Sequence, residues 1–180
     1  MSSIAIFSIS LGSLAIIASL YGLVYPNKLQ KVIIGFPRNI LAGRILCAFC
    51  CILAAREAFM MNMGGLNNFK PFILLLAPGV FICSIIFLKE LLAARSLGGL
   101  FCLLAVPVVN LAALSNKPYF QVIALIGYSW AIIGIIYLMA PWQFRKMNTF
   151  LLNNKKNFQL ALFLKALIGL LLIIFAIYFY

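Results

Sequence analysis

Six long apolar runs dominate the chain of 180 residues, and short stretches richer in polar residues separate them. A helix needs roughly 20 mainly apolar residues to cross about 30 Å of hydrocarbon. The runs meet that length, so the pattern predicts an all-α membrane protein built as a bundle of six transmembrane helices. Their predicted limits are about residues 4–25, 40–62, 71–90, 96–114, 119–140 and 159–180. Because almost nothing is left over, residues 1–180 are expected to form a single integral membrane domain with no soluble domain.

Two shorter segments, residues 27–36 and 142–152, are amphipathic. In the first, apolar residues recur at i, i+3, i+4 and i+7 from Leu29, while the lysines point elsewhere. In the second, Phe144 begins the apolar face, and Arg145 lies on another side of the helix. Helices with one apolar and one basic face lie in the membrane interface. We therefore predict two short interfacial helices on the cytoplasmic side.

The two amphipathic segments and the spans before them share a register. A shift of 115 residues superposes identical residues at five of about twenty positions: Gly12 on Gly127, Ile17 on Ile132, Leu23 on Leu138, Pro26 on Pro141 and Lys31 on Lys146. Both copies run in the same direction, unlike the inverted repeats of many secondary transporters. The pattern favours a weak internal repeat, although any long helix followed by a proline and a basic interfacial segment would resemble it.

Ser96 marks the predicted start of the fourth span. A serine hydroxyl accepts hydrogen bonds from the free N–H groups at a helix N-terminus, so Ser96 is predicted to be the N-cap. Pro78 and Pro107 fall inside spans and are predicted to kink them, which membrane helices tolerate.

The formal net charge of +12 becomes informative once the basic residues are placed relative to the bilayer. The first, third and fifth loops each hold several Lys and Arg residues, whereas the second and fourth loops hold one each, Lys70 and Lys117. Since basic residues are retained on the cytoplasmic side, the odd-numbered loops are predicted to lie inside and both termini on the non-cytoplasmic side. We expect a bacterial inner membrane, with this charge facing anionic lipid headgroups and not nucleic acid.

A set of basic residues is predicted to form a positive rim at the cytoplasmic boundary. Arg44 and Lys165 fall inside spans but within reach of the headgroups, because long basic side chains snorkel. The full set is Arg38, Arg44, Lys89, Arg95 and Lys165. Its role is either contact with anionic lipids or a pocket for a phosphorylated lipid or another anion. Bound lipid is expected, and no cofactor is predicted.

One side of the second span consists of small residues: Gly43, Cys47, Cys50, Cys51, Ala54 and Ala58. Small residues at this spacing let helix backbones approach one another in membranes, which predicts a packing face. The alternative is a thiol centre at the cysteine cluster, but a low-dielectric span suppresses thiolate formation. The chain has no His and no Asp, so no metal site is predicted.

Arg56 and Glu57 stand near the outer end of the same span, roughly 8 Å inside its boundary at 1.5 Å per residue. Charged residues at such a depth usually face the bundle interior and pair. Neighbouring helical residues point about 100° apart, so Glu57 is expected to face inward and Arg56 to need another partner. The pair is either a docking device that meets charges on another subunit, or Glu57 handles protons or cations.

Enzymatic chemistry generally needs a nucleophile with a base, a metal or paired carboxylates. The two acids of the chain, Glu57 and Glu90, lie on opposite sides of the membrane in the predicted topology. We therefore predict that the protein is not an enzyme, and our leading interpretation is an accessory or structural subunit, or assembly partner, of a larger membrane complex or homo-oligomer. The alternative is a small proton- or cation-coupled transporter or channel, or an anionic-lipid binding or translocating protein, that uses Glu57. A membrane thiol or redox protein that uses Cys47, Cys50 and Cys51 is the third interpretation.

Overall fold

The computed structural model describes residues 2–61, 64, 70–87, 91–115 and 117–180. All regular structure in these residues is helical, and no strand occurs there. In chain order the helices are α1 (Ser3–Val24), α2 (Pro26–Gly35), a 3-10 turn (Phe36–Arg38), α3 (Ile40–Met60), α4 (Lys70–Phe87), α5 (Leu92–Ala113), α6 (Gln121–Met139), α7 (Pro141–Asn153) and α8 (Lys155–Tyr178). The predicted rim residue Lys89 lies outside the described residues, as does Glu90. The same holds for two predicted span ends, at residues 62 and 88–90.

Helix length and composition fit an integral membrane protein that crosses the bilayer several times. Five of the described helices, α1, α4, α5, α6 and α8, are long and apolar enough to cross a membrane. α3 meets the same standard only together with the segment Pro26–Arg38 before it, from which it is bent by 70°. α3 is less apolar than those five helices because it carries Arg44, Arg56 and Glu57. The described chain thus holds five helices that could span a membrane, or six such units if the bent pair counts as one.

α5 begins at Leu92, before its predicted start, and Ser96 is not its N-cap. The helix follows directly on Leu91, whose φ of 58° lies in the left-handed region. Ser96 is buried inside the helix, where its Oγ donates a hydrogen bond to the carbonyl oxygen of Gly43 at 3.4 Å. The prediction was wrong because the backbone turn at Leu91 sets the helix start. A leucine in that conformation gives no sequence signal, since leucine rarely adopts it.

Helix limits in the two copies of the internal repeat coincide at the same shift of 115 residues. The matching limits are Val24 and Met139 for the ends of α1 and α6, Pro26 and Pro141 for the starts of α2 and α7, and Ile40 and Lys155 for the starts of α3 and α8. The N-cap residues of α3 and α8, Asn39 and Asn154, also match. The repeat therefore comprises a long helix, a short helix that starts at a proline, and a second long helix. α4 and α5 separate the two copies in the sequence.

The chain divides into two compact units, each assembled from separate segments. The first unit comprises Met1–Ile34, Ala105–Ser129 and Arg145–Tyr180, and the second comprises Gly35–Leu104 and Trp130–Phe144. α1 packs along α8 in the first unit. Gly12 and Gly169 meet there, and the hydroxyls of the buried Ser8 and Ser19 donate to carbonyl oxygens of their own helix. This face of α1 is therefore closely packed and leaves neither serine hydroxyl unpaired.

In the second unit α3 packs against α4, and glycines bring the other helices close. A Cβ added to Gly43 of α3 would lie 3.0 Å from the backbone nitrogen of Ala93 in α5. Gly98 of α5 and Gly134 of α6 face each other, and a Cβ on either would lie 2.7 Å from the carbonyl oxygen of the other. Small residues at these crossings allow the helix backbones to pack directly, as is common in membranes.

Candidate functional site

The predicted small face of α3 is shared between two neighbouring helices. The Sγ of Cys50 donates a hydrogen bond to the carbonyl oxygen of Ser96 in α5 at 3.1 Å. The residues that lie toward α5 are Gly43, Cys47 and Cys50, whereas those that line a cavity with α4 are Cys51, Ala54 and Ala58. The face thus contacts α5 near the start of α3 and borders α4 farther along the helix.

A cavity of about 190 Å³ lies at Arg95, in the second turn of α5. Its other polar lining residues are Ser84 on α4, Ser96 on α5, and Cys47, Cys50 and Cys51 on α3. The Nε of Arg95 is buried and has no hydrogen-bond partner among the residues that the structure describes. Because that atom is buried, a ligand in the cavity would meet the positive charge of Arg95 and not its Nε.

A second cavity, of about 230 Å³, lies beside the first, between α3 and α4. Cys51 and Ala54 line both cavities, so the two adjoin along α3. The second cavity is walled by small or aliphatic side chains: Cys51, Ala54, Ala55 and Ala58 of α3, and Ile73, Leu76, Ala77 and Val80 of α4. We call the two cavities together the Arg95 groove. It has a polar end at Arg95 and an apolar end along α4.

The cysteines of the chain are all free thiols. Cys83 is exposed, and Cys102 contacts the carbonyl oxygen of Ala131 at 3.8 Å. Within the described parts of the chain, no three potential ligand side chains of the His, Cys, Asp or Glu type come together as a metal ion would require. The cluster of Cys47, Cys50 and Cys51 instead forms part of the wall of the Arg95 groove.

Arg56 and Glu57 form an ion pair with each other near the C-terminal end of α3. The Nη1 of Arg56 lies 3.3 Å from the Oε1 of Glu57, and the two side chains are 60% and 41% exposed. The expectation that Arg56 needs another partner is wrong, because its long side chain reaches back to the neighbouring carboxylate. Glu57 also lies at the surface and not among packed side chains. A further positive charge lies near this helix end, where the Nζ of Lys70 sits 5.8 Å from the ring centre of Phe59.

The residues of the predicted basic rim lie in different environments. Arg38 and Arg44 are exposed on the second unit, and Arg95 lines the groove. Lys165 lines a cavity of about 130 Å³ in the first unit, formed by residues of α2, α7 and α8. Asn148 lines the same cavity, and its buried Nδ2 has no partner among the described residues. Among the rim residues that the structure describes, Arg95 and Lys165 thus line separate cavities, and neither cavity is lined by Arg38 or Arg44.

Sequence reasoning missed Ser84 and Asn148 as lining residues. Asn148 has a detectable signal, because it lies on the apolar face of α7, four residues after Phe144 and three before Leu151. Ser84 has no comparable signal, because its place in the groove depends on how α4 meets α3 and α5. The continuity of the groove from Arg95 to the alanines of α3 likewise requires the packed structure.

Comparison of the chain with protein-family models, with curated proteins and with solved structures gives no match. The functional argument therefore rests on the chemistry of the Arg95 groove and of the Arg56–Glu57 pair.

Proposed function

We propose that this protein is a six-span integral membrane protein that serves as a non-catalytic accessory subunit or assembly partner of a larger membrane complex. In the proposed topology α1, α3, α4, α5, α6 and α8 cross the bilayer, and α2 and α7 lie in the cytoplasmic interface. The concentration of Lys and Arg in odd-numbered loops supports this orientation, with both termini on the non-cytoplasmic side of a bacterial inner membrane. The lack of His and Asp supports a non-catalytic role.

The exposed position of the Arg56–Glu57 pair carries this proposal. Charged groups within a span are unfavourable in hydrocarbon and normally face protein or a polar cavity. Here both side chains are exposed on the surface of the chain, within the last two turns of α3. A second membrane protein that offers complementary polar groups would remove the pair from lipid, and the pair would in turn fix the register of the two proteins.

The surface of α4 supports the same proposal. None of the described side chains of α4 is buried. Gly79 and Cys83 are exposed four residues apart, and nothing lies within 4 Å of a Cβ added to Gly79. Exposed small residues at this spacing are typical of faces through which membrane helices associate. α4 therefore offers a second surface to a partner helix.

The test is the composition of the complex purified from native membranes in a mild detergent. We expect Glu57→Gln and Arg56→Gln to lose stoichiometric partner polypeptides while the protein remains folded. Lys117→Gln is the matched control, because it removes a charge from a loop that carries no part of the pair, and it should keep the partners. Unchanged partner stoichiometry in both pair variants would refute the docking role.

A small proton- or cation-coupled transporter with Glu57 as its coupling carboxylate is the competing proposal. The accessible carboxylate of Glu57 favours it, since 41% of that side chain is exposed. The ion pair with Arg56 weighs against it, because a carboxylate already held by a neighbouring cation is less available to a transported cation. In this case Glu57→Gln would abolish uptake into proteoliposomes while leaving the assembly state unchanged.

A further inference from the structure

We propose that the Arg95 groove binds one anionic phospholipid, with the acidic headgroup on Arg95 and one acyl chain along α3 and α4. The proposal is independent of the docking role, because it rests on other residues. It also narrows the expectation of a basic rim in contact with anionic lipid to one residue, Arg95, and one groove.

The polar end of the groove fits an anionic headgroup. The guanidinium of Arg95 presents several donors in a fixed plane that matches the oxygens of a phosphate. Arg95 lines the cavity at this end, so a phosphate bound there would lie against its positive charge. Ser84 and Ser96 add hydroxyl groups to the same cavity wall, and hydroxyls both donate to and accept from a headgroup.

The apolar end of the groove fits an acyl chain. From Cys47 to Ala58 the wall formed by α3 is about 16 Å long at 1.5 Å per residue. That is about half of the hydrocarbon thickness of a bilayer, which is the length that one acyl chain covers. The side chains along this length are small on α3 and aliphatic on α4, so they leave space for methylene groups and offer them no polar competitor.

A phospholipid is favoured over a soluble anion because it uses both ends of the groove. Inorganic phosphate would satisfy Arg95 but leave the cavity between α3 and α4 empty. A zwitterionic lipid such as phosphatidylcholine also offers a phosphate and a chain, but it brings a choline cation that repels the guanidinium of Arg95. An anionic phospholipid offers the phosphate without that cation, and in the proposed topology Arg95 faces the leaflet in which anionic headgroups concentrate.

The test measures lipid binding to the purified full-length chain by native mass spectrometry. Delipidated protein is titrated with phosphatidylglycerol or with phosphatidylcholine that has the same acyl chains. We expect the first phosphatidylglycerol to bind about tenfold more tightly than phosphatidylcholine, because both lipids offer a phosphate to Arg95 but only phosphatidylcholine carries a cation that repels it. Arg95→Gln should remove this preference, and Arg95→Lys should keep part of it because the charge remains. Arg145→Gln removes the same charge at an exposed residue that does not line the groove and should keep the full preference.

Ala54→Phe tests the acyl chain, because Ala54 lines both halves of the groove. A phenyl ring there should weaken binding of both lipids about tenfold while leaving the elution volume of the protein unchanged. The proposal is overturned if Arg95→Gln binds phosphatidylglycerol as the wild type does, or if Arg145→Gln weakens it equally. Displacement of phosphatidylglycerol by inorganic phosphate would show that the site takes a soluble anion, and would also overturn the proposal.

Discussion

Gly12 of α1 and Gly169 of α8 face each other so closely that neither position has room for a methyl group. A Cβ on Gly12 would lie 2.7 Å from the carbonyl oxygen of Gly169, and a Cβ on Gly169 would lie 2.8 Å from that of Gly12. The clash in both cases is with backbone, which cannot move aside as a flexible side chain would. This crossing therefore fixes the distance between the first and last helices.

We predict that Gly12→Ala destabilises the protein by about 1–3 kcal/mol, the usual effect of an overpacked contact. Thermal unfolding in detergent, followed by size-exclusion chromatography, measures the change. Gly35→Ala is the matched control, since nothing lies within 4 Å of a Cβ added there, and it should unfold at the wild-type temperature or slightly above. Equal unfolding temperatures for Gly12→Ala and the wild type would contradict the direct backbone contact.

Asn39 provides a second test, at the start of α3. Its Oδ1 accepts hydrogen bonds from the backbone N–H groups of Leu41 at 3.1 Å and Ala42 at 3.2 Å. Asn39→Ala should lower the free energy of unfolding by about 1 kcal/mol, because two free N–H groups lose their acceptor. Asn154 occupies the matching position of the repeat but makes no such bond, so Asn154→Ala should have a smaller effect in the same unfolding assay. A larger effect at Asn154 would contradict the capping geometry.

Substitutions of Cys50 separate a packing role from thiol chemistry. Its Sγ lies 3.1 Å from the carbonyl oxygen of Ser96. A Cβ added to Gly99 would lie 3.7 Å from the same Sγ. We expect Cys50→Ala to accumulate and assemble normally and Cys50→Leu to lower protein abundance, because the larger side chain overpacks the contact with α5. Ala113→Leu, at an exposed position on no proposed contact face, should behave as the wild type does. Loss of function in Cys50→Ala with normal abundance would instead indicate a chemical role for the thiol.

Cysteine labelling tests the proposed topology. In a background without the five native cysteines, Lys117→Cys should react with a membrane-impermeant maleimide on intact cells. Arg145→Cys should react only after the membrane is permeabilised, because α7 is assigned to the cytoplasmic side. Both residues are exposed, so labelling depends on the side of the membrane and not on burial. The reverse labelling pattern would invert the orientation.

The sequence predicted the helices well, because membrane spans and their proline breaks depend on local composition. Residues 27–36 and 142–152 are helical as predicted, within α2 and α7, and the repeat was detectable from five identities before the matching helix limits were known. The start of α5 was wrong because it depends on the left-handed conformation of Leu91, which the residue type does not favour.

The candidate sites were less predictable than the helices. The small face of α3 was visible on a helical wheel, but its division between α4 and α5 was not. Arg56 and Glu57 were identified from the sequence as a charge pair, but their direct contact was not predicted, because helix geometry fixes where Cβ atoms point, whereas the ends of long side chains range more widely. The Arg95 groove needs three helices in place, so no spacing within one segment could reveal it.

Native mass spectrometry of the wild-type protein, extracted from its own membrane in a mild detergent, tests the central proposal most directly. The docking role predicts a stoichiometric assembly with other membrane polypeptides, one copy of which contacts the surface around Arg56 and Glu57. If the protein emerges alone, or only as copies of itself with bound lipid, the accessory-subunit proposal is contradicted and the transport assay of Glu57→Gln becomes decisive.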